Sequence, residues 1–315
     1  PFFSYFQSLF YETNFQSNKN LFFISHIYHN QFLFLQTNLL FFKKIPFDSE
    51  EAQFLAGYIQ HLISEYILEY QKNNNFILYP EWDRSTWAQG KKQIDLYFEH
   101  IEDRNNRYNL TLDEEIQKYK EFESKNEGVP YNYPILTRNS NVTAIAPNAT
   151  ISNIAGCFPC IEPAFSNVYA KSNVSGDFLI FNQYLVKDLM KLGLWNKSVS
   201  DLLKRTNGDI QGIEGLSEEF KKLYRTAFQV DQKALIRQNA IRGLFVDQSI
   251  SMNLFYDGTS GKEISDLYFY AWECGIKTVY YLRTKGASQI ERSTIEENEE
   301  TSMNIEKHRE ENLEE

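Results

Sequence analysis

The chain has 315 residues, a net charge of −10 and only three cysteines. That length suits roughly two domains of about 150 residues, or one large α/β domain with a sizeable core. The acidity argues against a nucleic-acid surface, which needs clustered Lys and Arg, and three cysteines are too few for a disulfide scaffold.

Residues 1–47 hold 12 of the 25 phenylalanines and no glycine. A membrane span needs about 20 largely apolar residues, and His26, His29, Asn30, Gln31, Gln36 and Asn38 interrupt this run. His26 and His29 alone are too few ligands for a metal site. No basic region and cleavage site of a secretory signal is visible. Triplets such as Asn148-Ala149-Thr150 are then chance glycosylation matches, and a cytoplasmic protein is expected. Residues 1–38 remain unassigned.

From Ser49 the texture is that of a folded domain. Ser49 is an N-cap candidate followed by Glu50 and Glu51, and Leu55, Tyr58, Ile59, Leu62, Tyr66 and Leu68 recur at roughly helical spacing. A helix is expected over 49–72, then a polar loop at "YPEWDRSTWAQGK" and a charged helix over 112–125. Val142–Ala146 reads as a short buried strand stopped by Pro147. The run 148–156 reads as a turn feeding a helix. Helices follow at "FNQYLVKDLMKLGLWN" and "KSVSDLLKRTNGD". One long helix is expected over 217–243, with Gly243 as its stop. "LFVDQSISMNLFY" reads as a strand, "KEISDLYFYAWECG" as a helix closed by Gly275, and "IKTVYYLRT" as a final buried strand. The alternation argues a layered or barrel α/β domain. The acidic stretch 290–315 reads as a disordered tail.

Four constellations could carry chemistry. Pro147, Asn148, Ala149, Thr150, Ile151 and Ser152 lie at a strand-to-helix junction, where unpaired N–H groups and hydroxyls make an anion site or a plain helix cap. Cys157 and Cys160 could form a redox dithiol or half a zinc site. With no second pair, two small loop residues are the better reading. Asp247 and Gln248 could be catalytic, but a polar pair opening a strand more often satisfies backbone groups. Tyr280 and Tyr281 are unremarkable among 20 tyrosines.

Read together and in order, "KKIPFDSEEA", "RNSNVTAIAPNATISNIAG", "IEPAFSNVYAKSNVSGDF", "LVKDLMKLGLWN", "RGLFVDQSISMN" and "YFYAWECGIKTVYYLRT" resemble the C-terminal part of the class I ribonucleotide reductase large subunit. Six ordered blocks are far more specific than any one of them. The resemblance implies a ten-stranded α/β barrel of two half-barrels, occupied here by 39–289 and incomplete in this chain. It implies reduction of a ribonucleotide 2′-hydroxyl through a thiyl radical. Pro147 to Ser152 would hold the substrate phosphates, and Tyr280 and Tyr281 would relay an oxidising equivalent.

The departures are equally definite. The family's radical-bearing cysteine, the glutamate beside it and its reductant cysteines are expected upstream of the matched blocks. Cys157, Cys160 and Cys274 do not match them, and the tail lacks the cysteine pair of many members. The chain is therefore expected to be a C-terminal fragment, inactive alone. Its implied partners are the missing N-terminal part, the small subunit with its dimetal/tyrosyl radical cofactor, a ribonucleoside diphosphate and a thioredoxin- or glutaredoxin-type reductant. Nucleotide effectors would bind the missing part; no cofactor, metal, membrane or nucleic acid is expected on this chain. A non-catalytic gene remnant and a stand-alone phosphate-binding module are the alternatives.

Overall fold

The computed structural model describes residues 40–41, 43–73, 77–99, 134–147, 152, 158, 160–173 and 176–284. The expectations for residues 1–38, the helix over 112–125, most of the run 148–156 and the acidic tail lie outside these residues.

Helix α1, Glu50–Asn73, starts where the cap and the acidic first turn place it. The Ser49 hydroxyl accepts the Ala52 N–H at 3.1 Å, which satisfies one of the orphan donors of the first turn. A single 3-10 turn, Trp82–Arg84, and a short helix α2, Gln93–Glu99, follow. The polar loop between them is tied down by its tryptophans. The Trp82 indole donates to the Ile135 carbonyl at 3.1 Å, and that of Trp87 to Ser140 O at 2.9 Å.

An antiparallel hairpin comes next, β1 Val168–Asn173 with β2 Gly176–Phe181. It was not expected from the sequence. Its signal is present, however: Ser175-Gly176-Asp177 punctuates two β-prone runs, and Gly176 takes φ 126°, open only to glycine without strain. Helices α3, Gln183–Lys191, and α4, Lys197–Arg205, match the expected segments. Each is capped by an asparagine, Asn182 and Asn196.

The single long helix expected over 217–243 is instead two helices, α5 Glu218–Leu223 and α6 Gln232–Gly243. The break has local causes. Gln229 Oε1 accepts the Thr226 N–H at 2.9 Å, and Asp231 Oδ1 caps Lys233 at 3.0 Å. Both polar side chains offer the backbone an alternative to helical pairing. Helix α6 does end at Gly243, but Gly243 is not left-handed. The last turn tightens, with Leu244 and Phe245 N–H groups donating to Ile241 and Arg242.

The last unit is β3 Leu254–Phe255, α7 Gly261–Glu273 and β4 Leu282–Arg283, with β3 and β4 parallel. Parallel neighbours need such a crossover helix. Gly275, at φ 76°, ends α7 with Ile276 N–H reaching back to Ala271 O at 3.0 Å, a left-handed glycine stop. The expected strands are much shorter than their apolar runs. Val142–Ala146 contributes one parallel bridge, Ile145 to Ile250, and Tyr280 and Tyr281 precede β4 rather than lying within it. The segment 248–256 thus pairs in parallel with 143–145 over its first half and with 280–283 over its second.

The two largest of four apolar clusters among the described residues hold most of these parts. One joins α6 and α7 to the strand segment through Leu235, Ile236, Ile241, Met252, Leu254 and Ala271. The other packs α3 and α4 against Val168, Ile210 and Tyr224. Among the described residues no helix is long and apolar enough to cross a membrane.

Candidate functional site

The parallel segment 248–256 anchors the candidate tyrosines. Tyr280 N–H donates to Met252 O at 2.7 Å, and Tyr281 O accepts Leu254 N–H at 2.8 Å. Successive residues of a regular strand point to opposite faces. Here the regular strand begins only at Leu282; before it Tyr280 N–H bonds the Met252 carbonyl while Tyr281 N–H turns to the Asn253 side chain, and in this irregular pairing both rings meet. Their centroids are 4.1 Å apart at an interplanar angle of 52°. The pair is not buried, as the strand reading had it: Tyr280 is 49% and Tyr281 47% exposed.

The surroundings are polar and charged. The Arg283 guanidinium sits 4.6 Å from the Tyr281 ring centroid. The Tyr280 phenol is raised above its ordinary value, first by its hydrogen bond with Tyr281, and the positive charge of Arg283 opposes that shift. Two phenols in contact can pass on an oxidising equivalent when the intact one gives an electron together with a proton and the one already a neutral radical takes both up. A cation beside a phenol ring disfavours a bare ring cation, so such a setting favours loss of electron and proton together over loss of the electron alone.

The candidate anion loop is described only at its ends. Pro147 lies two residues past the Ile145–Ile250 bridge and is exposed; Ser152 is helical and buried. Asn148, Ala149, Thr150 and Ile151 lie outside the described residues. The position of Pro147 just past the carboxyl end of a parallel stave is where α/β sheets commonly place ligands.

Asp247 belongs to the framework. Its carboxylate accepts the N–H groups of Val142 and Thr143 at 2.7 and 2.9 Å, and the Thr143 hydroxyl at 3.0 Å. Lys277 closes the same corner, its ammonium donating to the carbonyls of Val246, Asp247 and Gln248 at 3.0 Å each. These contacts fit the backbone-satisfying reading of Asp247; Gln248 is exposed and enters them only through its backbone.

Cys157 lies outside the described residues. Neither Cys160 nor Cys274 is in a disulfide. Burial and the Glu162 carboxylate push the Cys160 thiol well up, the reverse of an activated thiolate. Among the described residues no group of three or more His, Cys, Asp or Glu side chains is arranged to hold a metal ion. Sequence reasoning missed Glu162 and Asn253, which meet beneath the tyrosines; their only signal was their place inside two of the six blocks.

Residues 36–282 match the family described as "Ribonucleotide reductase, barrel domain". The ribonucleoside-diphosphate reductase subunit alpha of Chlamydia pneumoniae is 34% identical over 257 residues, covering 81% of this chain and 23% of that protein. The large subunit of Acanthamoeba polyphaga mimivirus is 36% identical, covering 80% and 27%. Large chain 2 of Saccharomyces cerevisiae is 34% identical, covering 81% and 28%. Among solved structures, the class Id ribonucleotide reductase alpha subunit of Actinobacillus ureae superposes with a TM-score of 0.44 at 22% identity, covering 76% of this chain and 47% of that one. The chain spans about a quarter of the length of the curated relatives it matches.

Proposed function

Because the chain belongs to the ribonucleotide reductase barrel-domain family, we propose that it contributes the radical-relay and substrate-phosphate elements of a ribonucleoside-diphosphate reductase large subunit. The observation that carries this reading is the Tyr280–Tyr281 contact at 4.1 Å.

In the proposed step one phenol of the pair is a neutral radical and the other is intact. The intact phenol gives up an electron and its proton and becomes the radical; the first takes up both and becomes a phenol. Nothing is consumed, and the oxidising equivalent has moved one residue. The equivalent enters from a radical-bearing small subunit. It leaves toward a cysteine supplied by large-subunit residues outside this sequence, where a ribonucleoside diphosphate is reduced in the cytoplasm. The loop from Pro147 to Ser152 holds the substrate phosphates through backbone N–H groups and hydroxyls. A dithiol protein of the thioredoxin or glutaredoxin class restores the cysteines. By itself the chain is inactive, because none of its three cysteines stands in the position of the radical-bearing one.

Reconstitution tests the reading. This chain is combined with the remaining N-terminal part of a large subunit and with a small subunit, and reduction of a ribonucleoside diphosphate is measured. Turnover that depends on this chain supports the reading. Turnover that survives both Tyr280→Phe and Tyr281→Phe overturns the relay.

A further inference from the structure

Glu162 is 1% exposed, and its carboxylate takes both donors of a single residue. The Asn253 backbone N–H donates to Oε1 at 2.5 Å, and the Asn253 side-chain amide donates to Oε2 at 2.9 Å. That double contact fixes the Asn253 side chain and turns its remaining oxygen outward. Asn253 Oδ1 accepts the Tyr281 N–H at 3.2 Å. The residues on either side complete the grip, since Met252 O takes the Tyr280 N–H and Leu254 N–H reaches Tyr281 O. Three consecutive residues therefore hold the backbone of both tyrosines, and only the middle one does so through its side chain.

A buried carboxylate is a costly way to hold a loop. Burial raises the Glu162 carboxyl, and the Asn253 donors, the Cys160 thiol and the charge of Arg242 offset that only in part. Arg242 is itself fully buried and is occupied by Asn239 and Gln238 at 3.2 and 3.0 Å. A well-packed apolar pair would cost less. What the polar pair supplies instead is direction, because a carboxylate that accepts from both Asn253 donors allows one amide orientation.

We propose that Glu162 and Asn253 are positioning residues that set the contact between the Tyr280 and Tyr281 rings and thereby the rate of transfer through the pair. The rate clause rests on the relay reading above; the ring contact does not.

The test uses the full chain with labelled tyrosines, and then the reconstituted reductase. In the parent, a ring-to-ring nuclear Overhauser contact and slow exchange of the Tyr281 amide are expected. Asn253→Ala and Glu162→Gln should each weaken both. In the reductase each should lower kcat by roughly tenfold with KM for the nucleotide unchanged, the pattern of a step made after binding. The double variant Glu162→Gln/Asn253→Asp reverses one hydrogen bond: the new amide donates to the new carboxylate, and an oxygen still faces the Tyr281 N–H. It should recover the ring contact and kcat, which a merely space-filling role would not produce. It also keeps the test intact should Asn253→Ala fail to fold. Folded single variants with parental ring contact overturn the proposal, as does a double variant no better than the worse single. If the ring contact responds as expected but Tyr280→Phe turns over at the parental rate, the relay fails and the positioning of the rings stands.

Discussion

The rings of Tyr280 and Tyr281 touch at a centroid separation of 4.1 Å, a contact that neighbours in a regular strand do not make. It arises where the pairing is irregular: both tyrosines already bond to the segment 252–254, but the regular strand begins only at Leu282. Each phenol is half exposed, so substitution there changes chemistry more than packing.

Tyr280→Phe and Tyr281→Phe should leave the thermal midpoint and the circular dichroism spectrum of the chain unchanged. In the reconstituted reductase each should reduce turnover to background, measured as deoxynucleotide formed per minute. Phenylalanine keeps the ring and removes the proton that accompanies the electron.

Tyr224 is 1% exposed, and its hydroxyl donates to Asp188 Oδ2 at 2.5 Å; Asp188 also pairs with Lys44 and Lys191. Tyr224→Phe should cost about 1–3 kcal/mol in urea unfolding, since the carboxylate loses a buried donor. Burial raises the Tyr224 phenol above its ordinary value of 10.0. The unfolded chain then releases this proton first, so the contribution is fully present below pH 10 and is lost as pH rises beyond it. The parent should therefore lose stability above about pH 10 more steeply than Tyr224→Phe does, read from urea midpoints between neutral and alkaline pH.

Lys277→Met should destabilise the chain by about 2 kcal/mol, because three carbonyls lose a charged donor that now serves all of them. Hydrogen exchange should speed up at Gln248 and Ile145, whose N–H groups bind the paired segments. The ring contact should persist, since Tyr280 hangs from Met252 further along.

Asp231→Ala should cost about 1 kcal/mol through loss of the cap on α6. Faster exchange confined to the first turn of α6 would show it. An unchanged first turn would mean that the break after α5 is held by Gln229 alone.

The long apolar periods were legible in one dimension. Helices α1, α3, α4 and α7 announce themselves by spacing and caps, because Ser49, Asn182, Asn196 and Ser260 act on groups within three residues of them. The break between α5 and α6 was not legible, because "TAFQVD" keeps helical spacing and only the Gln229 and Asp231 hydrogen bonds end the helix. The strand lengths were not legible either. The runs at 142–146 and 276–281 describe β-propensity, whereas burial and ladder membership depend on what lies alongside.

Family membership was decided by the sequence alone, since six ordered blocks need no coordinates and the match over 36–282 runs through them. The adjacency of Tyr280 and Tyr281 was likewise plain. That the rings meet, half exposed, was decided only by the tertiary structure, through an irregular pairing of both tyrosines with residues 252–254 that becomes a regular strand only at Leu282. The same is true of Glu162 and Asn253, 91 residues apart in sequence. Local rules reach a few residues along the chain, and a contact of that span exists only once the barrel segments have been laid side by side.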